Sequence, residues 1–252
     1  MQKSKPDKLI VYGRQPVIEA LKSGVKIYDL WLAKNLEGKA VRQIVNLAKR
    51  KEIAIHSVTK DEIQKLTGPV VHQGAAAWTE TGKLLSEKNF DELLTVRKNP
   101  VFLILDQIQD PHNLGAVLRT ADITGVDAVV STEKGSAELN AVTAKTSAGA
   151  MFHVPMYRTE KLQTVLEKLQ AASVKIYAML PAAEDTIYNA DYSGGTAVII
   201  GSEGYGVRKN LLAYCDKTLR IPQMGKVNSL NASVSAGVIL YEIVRQRLEE
   251  TK

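Results

Sequence analysis

The sequence predicts an α/β protein: a parallel-sheet domain over residues 99–252, preceded by a small α/β domain over 1–78, with a linker and entry helix over 79–98. Three observations carry this. Short apolar runs alternate with segments of helical periodicity, the pattern of sheets joined by helical crossovers. The alternation breaks at "ETGKLLSEKNFDELLTVRKN" (79–98), which is polar and poor in core signal. It restarts at Pro100 with "VFLILD", a continuous apolar run as expected of a strand covered on both faces.

In the first domain "KLIVYG" is strand-like, and "RQPVIEALKSG" is a helix stopped at Gly24. "IYDLWLA" is the next strand. "GKAVRQIVNLAKRKE" is an amphipathic helix with Val41, Ile44, Val45 and Leu47 turned inward. "IAIHSV" follows as a strand, then "TKDEIQKLTG" as a short helix with Thr59 as N-cap and Glu62 closing a capping box. "VVHQGAAAW" completes a small βαβα-type sandwich. In the second domain the strands after "VFLILD" are "DAVVS", "KIYAML", "TAVIIG" and "KTLRIP", with helical segments between them. "SLNASVSAGVILYEIVRQRLEE" reads as a closing helix capped by Ser229 or Asn231.

Composition narrows the function classes. No apolar run approaches the roughly 20 residues needed to span a bilayer. "MQKSKPDKLIVYG" lacks the apolar core of an export signal, so a cytoplasmic protein is expected. The single cysteine, Cys215, leaves no internal disulfide and no cysteine cluster for zinc. His56, His72, His112 and His153 lack metal-ligand spacing, so no metal is expected. Residues 1–75 hold 14 lysines and arginines against 7 acidic residues, and the remainder holds 19 against 20. The whole net charge of +6 therefore resides in the first third of the chain. A basic domain joined to a neutral one fits a polyanion-holding module, although "AKRKE" (48–52) also suits a solvated helix end.

Three glycine-containing stretches follow strands of the second domain, where open α/β sheets place ligands. They are "DPHNLGAVLRTAD" after "VFLILD", "GSEGYGV" after "TAVII", and "IPQMGKVNSLNAS" after "KTLR". None is a dinucleotide or P-loop fingerprint. In the first, Asn113 suits a helix cap and Arg119 a snorkelling cation. In the second, a tight glycine turn leaves the carboxylate of Glu203 unexplained. In the third, Ser229 and Asn231 suit an N-cap. Each is weak alone; their joint order is not.

Together the three stretches resemble the signature motifs of the SpoU/TrmH class of SPOUT-superfamily methyltransferases, through N-x-G-x(3)-R, G-S-E-G-x-G and S-L-N-x-S. "YGRQPVIEALKSG" and "VHQGAAA" further resemble the branch that methylates a guanosine in the peptidyl-transferase region of 23S rRNA. The resemblance covers essentially the whole chain. It implies S-adenosylmethionine as cofactor, RNA as substrate, a homodimer with the active site near its interface, a deep trefoil knot in the second domain, and an L30e/L7Ae-like first domain.

By the same resemblance Arg119 activates the ribose 2′-hydroxyl, as an unusual base or as a charged clamp on phosphate and developing alkoxide. Asn113 orients Arg119 or the ribose, Glu203 fixes the arginine or the substrate, and Ser229 and Asn231 organise the third stretch, with Asn231 reaching nucleotide or cofactor. Gly201, Glu203, Ile221, Met224, Leu230 and Asn231 are expected about the cofactor. The class commonly reads Ile-Pro-Met where this chain has Ile221-Pro222-Gln223-Met224, which puts a covering role for Met224 in question. "KTSAGA" (145–150) reads equally as a helix interior or an RNA contact. The alternatives are a tRNA or resistance-type rRNA 2′-O-methyltransferase, and, in another class, a non-catalytic RNA-binding assembly factor.

Overall fold

The computed structural model describes residues 8–227 and 229–250; residues 1–7 of the basic first domain, and Asn228 of the third glycine-containing stretch, lie outside the described residues. In chain order the elements are β1 (Lys8–Tyr12), α1 (Arg14–Ser23), β2 (Ile27–Ala33), α2 (Lys39–Arg50), β3 (Ile55–Val58), α3 (Lys60–Thr67) and β4 (Ala75–Glu80). There follow β5 (Leu84–Leu85), α4 (Glu87–Val96), β6 (Val101–Asp106), α5 (Pro111–Thr124), β7 (Ala128–Thr132) and α6 (Ala141–Thr146). The chain continues through β8 (Met156–Thr159), α7 (Leu162–Ala171), β9 (Lys175–Met179), β10 (Asp185–Thr186), β11 (Thr196–Gly201), α8 (Lys209–Leu212), β12 (Lys217–Arg220) and α9 (Ala232–Glu250). Two compact units emerge: Met1–Lys83 with Glu138–His153, and Leu84–Ala137 with Val154–Lys252.

In the first unit the sheet order is β1-β4-β2-β3, with β4 antiparallel to both neighbours and β2 parallel to β3. Local chemistry sets the helix ends as the sequence predicts. Gly24 ends α1 at φ 87°. At α3 the Thr59 hydroxyl accepts from the Glu62 amide at 3.2 Å, while the Glu62 carboxylate accepts from the Thr59 amide at 2.7 Å. In α2 the inward stripe is Val41, Ile44 and Ala48, spaced three and four apart. Val45 lies off that stripe and is exposed, and Leu47 is only half-buried, which corrects their expected inward orientation.

Glu138–His153, expected within the second domain, packs with the first unit. The reason lies in "KTSAGA", which is neither plain helix interior nor plain loop: α6 ends there, and Ala148 and Gly149 both take positive φ, 52° and 94°. A Cβ on Gly149 would fall 2.5 Å from Cβ of Glu19, so glycine is what admits α1 at this turn. His153 Nε2 then meets the Glu19 carboxylate at 2.9 Å.

The second unit is built on an eight-stranded sheet of order β10-β12-β9-β11-β6-β7-β8-β5, every neighbouring pair parallel. β6 is buried along its whole length, matching its unbroken apolar run. The brief strands β5, β8 and β10 are invisible as sequence because two to four residues carry no measurable period. The polar 79–98 stretch is also more than a linker. Phe90 of α4 is fully buried, stacks on Tyr157 with centroids 4.6 Å apart and meets Phe102 at 5.5 Å. One aromatic in a polar setting is a weak periodic signal but a large buried area.

Phe90→Ala is expected to lower unfolding free energy by about 3–5 kcal/mol in a denaturant titration. The Cys215 thiol is pushed up to about 11, first by burial and then by the neighbouring Asp216 charge. Maleimide at neutral pH should therefore label the native protein far more slowly than the denatured one.

Candidate active site

β6, β9, β11 and β12 end side by side in the second unit, and the glycine-containing stretches continue from three of these ends. β6 ends on Asp106, which is fully buried. Its carboxylate accepts from the Arg208 backbone amide at 2.8 Å and from Arg208 Nε at 2.7 Å. This ion pair fastens the chain that follows β11 across the end of β6. Between its ends that chain makes a tight turn, with Ser202 and Gly206 bridged and the Gly206 amide donating to the Ser202 carbonyl at 2.9 Å. A Cβ on Gly201 would lie 2.0 Å from the Gly206 carbonyl carbon, so the turn closes only over glycine. The turn pushes Glu203 and Tyr205 outward, Tyr205 being 90% exposed.

Asp110, not Asn113, caps α5: its carboxylate accepts from the His112 amide at 2.9 Å, with Pro111 in the first turn. Asn113 lies inside the helix and its amide is free to bond elsewhere. Nδ2 of Asn113 donates to Glu203 Oε1 at 3.0 Å, and Nδ2 of Asn231 donates to Asn113 Oδ1 at 2.9 Å and also to Glu203. The other side of Asn231 caps α9, its Oδ1 accepting from the Ser233 amide at 2.9 Å. The choice left between Ser229 and Asn231 is thus decided for Asn231, while Ser229 is exposed. One carboxylate gathers two amides, so three stretches distant in sequence meet in one network.

Arg119 stands apart. It is exposed, and among the described residues it makes neither hydrogen bond nor ion pair. Six residues on a helix separate it from Asn113 by about 120° of rotation and about 9 Å of rise. The expected pairing of Glu203 with Arg119 is not made within this chain.

The ends of β9, β11 and β12 border a cleft of about 310 Å³, of the size that accepts small ligands. Gly201, Glu203, Ile221, Ser229 and Leu230 line it. Met224 does not: it is 99% exposed, and the inserted Gln223 takes the place on the wall. Asn231 is also absent from the wall, its amide being directed to Asn113 and Glu203. Met179, Leu180 and Pro181, at the end of β9, line the cleft without having been singled out by sequence; a Leu-Pro pair closing an apolar strand was the available signal. Beside it a second recess of about 280 Å³ is bounded by Gln107, Asp110, Asn113 and residues 202–205. Glu203 and Tyr205 border both.

An adenosine cofactor fits this cleft. Leu180, Ile200, Leu219 and Leu230 provide apolar faces for a base, and the turn after Gly201 offers backbone groups. Ser202 Oγ, on the cleft wall, is buried without a partner among the described residues, an arrangement a bound polar group would complete. Among the described residues no group of three or more His, Cys, Asp or Glu could hold a metal, and no helix is long and apolar enough to cross a membrane.

Asp106→Ala should cost about 3–5 kcal/mol, because Arg208 would be left as an unpaired, partly buried charge; denaturant unfolding measures it. Gly201→Ala should reduce calorimetric affinity for S-adenosylmethionine at least tenfold while the protein stays folded.

Residues 100–241 match the SpoU rRNA Methylase family, and residues 10–82 match the RNA 2'-O ribose methyltransferase substrate binding family. The chain is 38% identical over 240 residues to the 23S rRNA (guanosine-2'-O-)-methyltransferase RlmB of Pasteurella multocida, covering 94% of this chain and 98% of that one. It is 36% identical to the putative TrmH family tRNA/rRNA methyltransferase YacO of Bacillus subtilis, covering 94% and 95%. Among solved structures, the SpoU methyltransferase AviRb of Streptomyces viridochromogenes in complex with AdoMet shares the fold, with a TM-score of 0.80 at 22% identity over 96% of this chain and 91% of that one. On the family match and on near full-length identity above one third, the chain belongs to the SpoU rRNA methylase family.

Proposed function

We propose that the protein transfers a methyl group from S-adenosylmethionine to a ribose 2′-hydroxyl of RNA, in the cytoplasm, the target being a guanosine of 23S rRNA in the peptidyl-transferase region. The observation that carries this is the Asn113–Glu203–Asn231 network on the rim of an adenosine-sized cleft. The similarity to 23S rRNA (guanosine-2'-O-)-methyltransferases supports the target. The cofactor supplies a methyl on a sulfonium, a good leaving group. What remains for the protein is to align the hydroxyl in line with the breaking C–S bond and to draw off its proton as the O–C bond forms. The walls about Gly201, Ile221 and Leu230 hold the cofactor, within the trefoil knot expected of the family. The second recess takes the ribose, oriented by Asn113 and Glu203.

The arginine enters from a second copy. Arg119 shares one face of α5 with the exposed Ile123, and α9, packed along α5, exposes Val234, Tyr241 and Leu248. A symmetric homodimer that covers these apolar groups brings each Arg119 to the partner's recess. There a guanidinium that stays charged binds the target phosphate and stabilises the alkoxide, while the hydroxyl proton passes to solvent water.

Incubation with unmethylated ribosomal RNA and labelled cofactor should place the label on one guanosine ribose; absence of label from both rRNA and tRNA would overturn the assignment, and label in tRNA alone would move the target. Arg119→Ala should lower turnover by roughly 100-fold or more with cofactor affinity retained. Mixing Arg119→Ala subunits with Glu203→Ala subunits should restore about a quarter of wild-type turnover, since half the dimers then hold one intact composite site. No recovery on mixing would mean that the arginine acts within its own chain.

A further inference from the structure

α2 carries a row of cations that the fold does not use. Lys39, Arg42, Lys49 and Arg50 are exposed, and among the described residues none pairs with a carboxylate. The helix, KAVRQIVNLAKR, contains no acidic residue of its own. Several cations elsewhere are matched: Lys22 lies 2.9 Å from Glu19, Lys168 2.7 Å from Glu87, Lys175 2.8 Å from Asp191, and Arg245 2.7 Å from Glu249. At its N-terminal end the arrangement on α2 works against the helix itself. Lys39 sits in the first turn, where the dipole disfavours positive charge, and Gly38 supplies no capping side chain. Lys39 and Arg42 are like charges three apart on one face.

Three of these charges, Lys39, Arg42 and Arg50, lie along a surface with a shape. Lys39, Arg42, Gln43, Asn46, Leu47 and Arg50 line a shallow concavity, following the helix at intervals of three and four residues over about 16 Å. The amide side chains of Gln43 and Asn46 lie between Arg42 and Arg50, so donors as well as charge line this face. The opposite side of the helix, with Val41, Ile44 and Ala48, is the core side. An unbranched row of donors and unpaired charges, without an aromatic platform, suits a sugar–phosphate backbone and not stacked bases.

We propose that this face of α2 grips the backbone of the RNA substrate, contributing affinity and register without taking part in the methyl transfer. The inference rests on the reading of RNA as substrate, and it assigns that contact to one helix face among the many basic residues of the first unit.

The full-length triple variant Lys39→Ala/Arg42→Ala/Arg50→Ala should bind a 23S rRNA fragment at least tenfold more weakly. The slope of log K against log salt should become shallower by roughly two, from about 0.7–0.9 for each lost phosphate contact. Turnover at saturating RNA should stay within about twofold, with cofactor affinity and melting temperature retained. Arg50→Ala alone should remove about one unit of slope, which keeps the test open if the triple variant folds poorly. The control Lys26→Ala/Lys60→Ala/Lys65→Ala makes the same charge change on other faces and should lose much less. Equal losses in the two triple variants, or an unchanged slope in the α2 variant, would overturn the assignment. Wild-type protein that binds RNA yet methylates none would sink the catalytic reading alone, leaving α2 to be judged by binding. Wild-type protein that binds no RNA would sink both.

Discussion

The buried pair between Asp106 and Arg208 is the constraint on which the candidate site depends. A carboxylate at the end of a fully buried strand is costly unless it is neutralised and hydrogen-bonded. Asp106 meets that demand by accepting two bonds from one residue, the Arg208 backbone amide and its guanidinium. The geometry fixes where the chain after β11 must return, and the turn between Gly201 and Gly206 follows. Glu203 is carried on that turn, so its reach to Asn113 and Asn231 is inherited from an ion pair that touches neither.

The polar network is then economical in its parts. Asn231 uses its carbonyl oxygen to cap α9 and its amide to join Asn113 and Glu203. The start of the last helix and the rim of the cleft are therefore one structural event. Asn113 serves only the rim, because Asp110 already caps α5. Ser229, relieved of capping, is left exposed on the cleft wall. The cleft offers chiefly backbone groups and apolar surface, and few charged residues mark it.

Much of this is legible in the chain itself. Thr59 and Glu62, Gly24, and the unbroken run of β6 announce their roles through local chemistry that no tertiary contact overrides. The three glycine-containing stretches are legible as a set, although the roles of their individual residues are not. Asn113 and Ser229 both look like caps, since capping preference is a property of residue type, and the choice falls to whichever neighbour reaches the helix amides first. Met224 looks like a wall residue by position, yet the extra residue before it shifts Gln223 onto the wall. Phe90 and the strand β8 are hidden because a single aromatic, or four residues, carries no period.

The sequence by itself determined the class of the two sheets, the ends of several helices, the segregation of positive charge, and part of the cleft lining, Gly201, Glu203, Ile221, Ser229 and Leu230. These follow from residue chemistry and short-range spacing. Tertiary structure alone decided which of them meet. It joined Asp106 to Arg208 across 102 residues and Asn113 to Asn231 across 118. It drew Glu138–His153 into the packing of the first unit through a glycine turn against Glu19. It also set Arg119 on the outer face of α5, away from Asn113, because helical rotation and not sequence distance governs which side chains share a face.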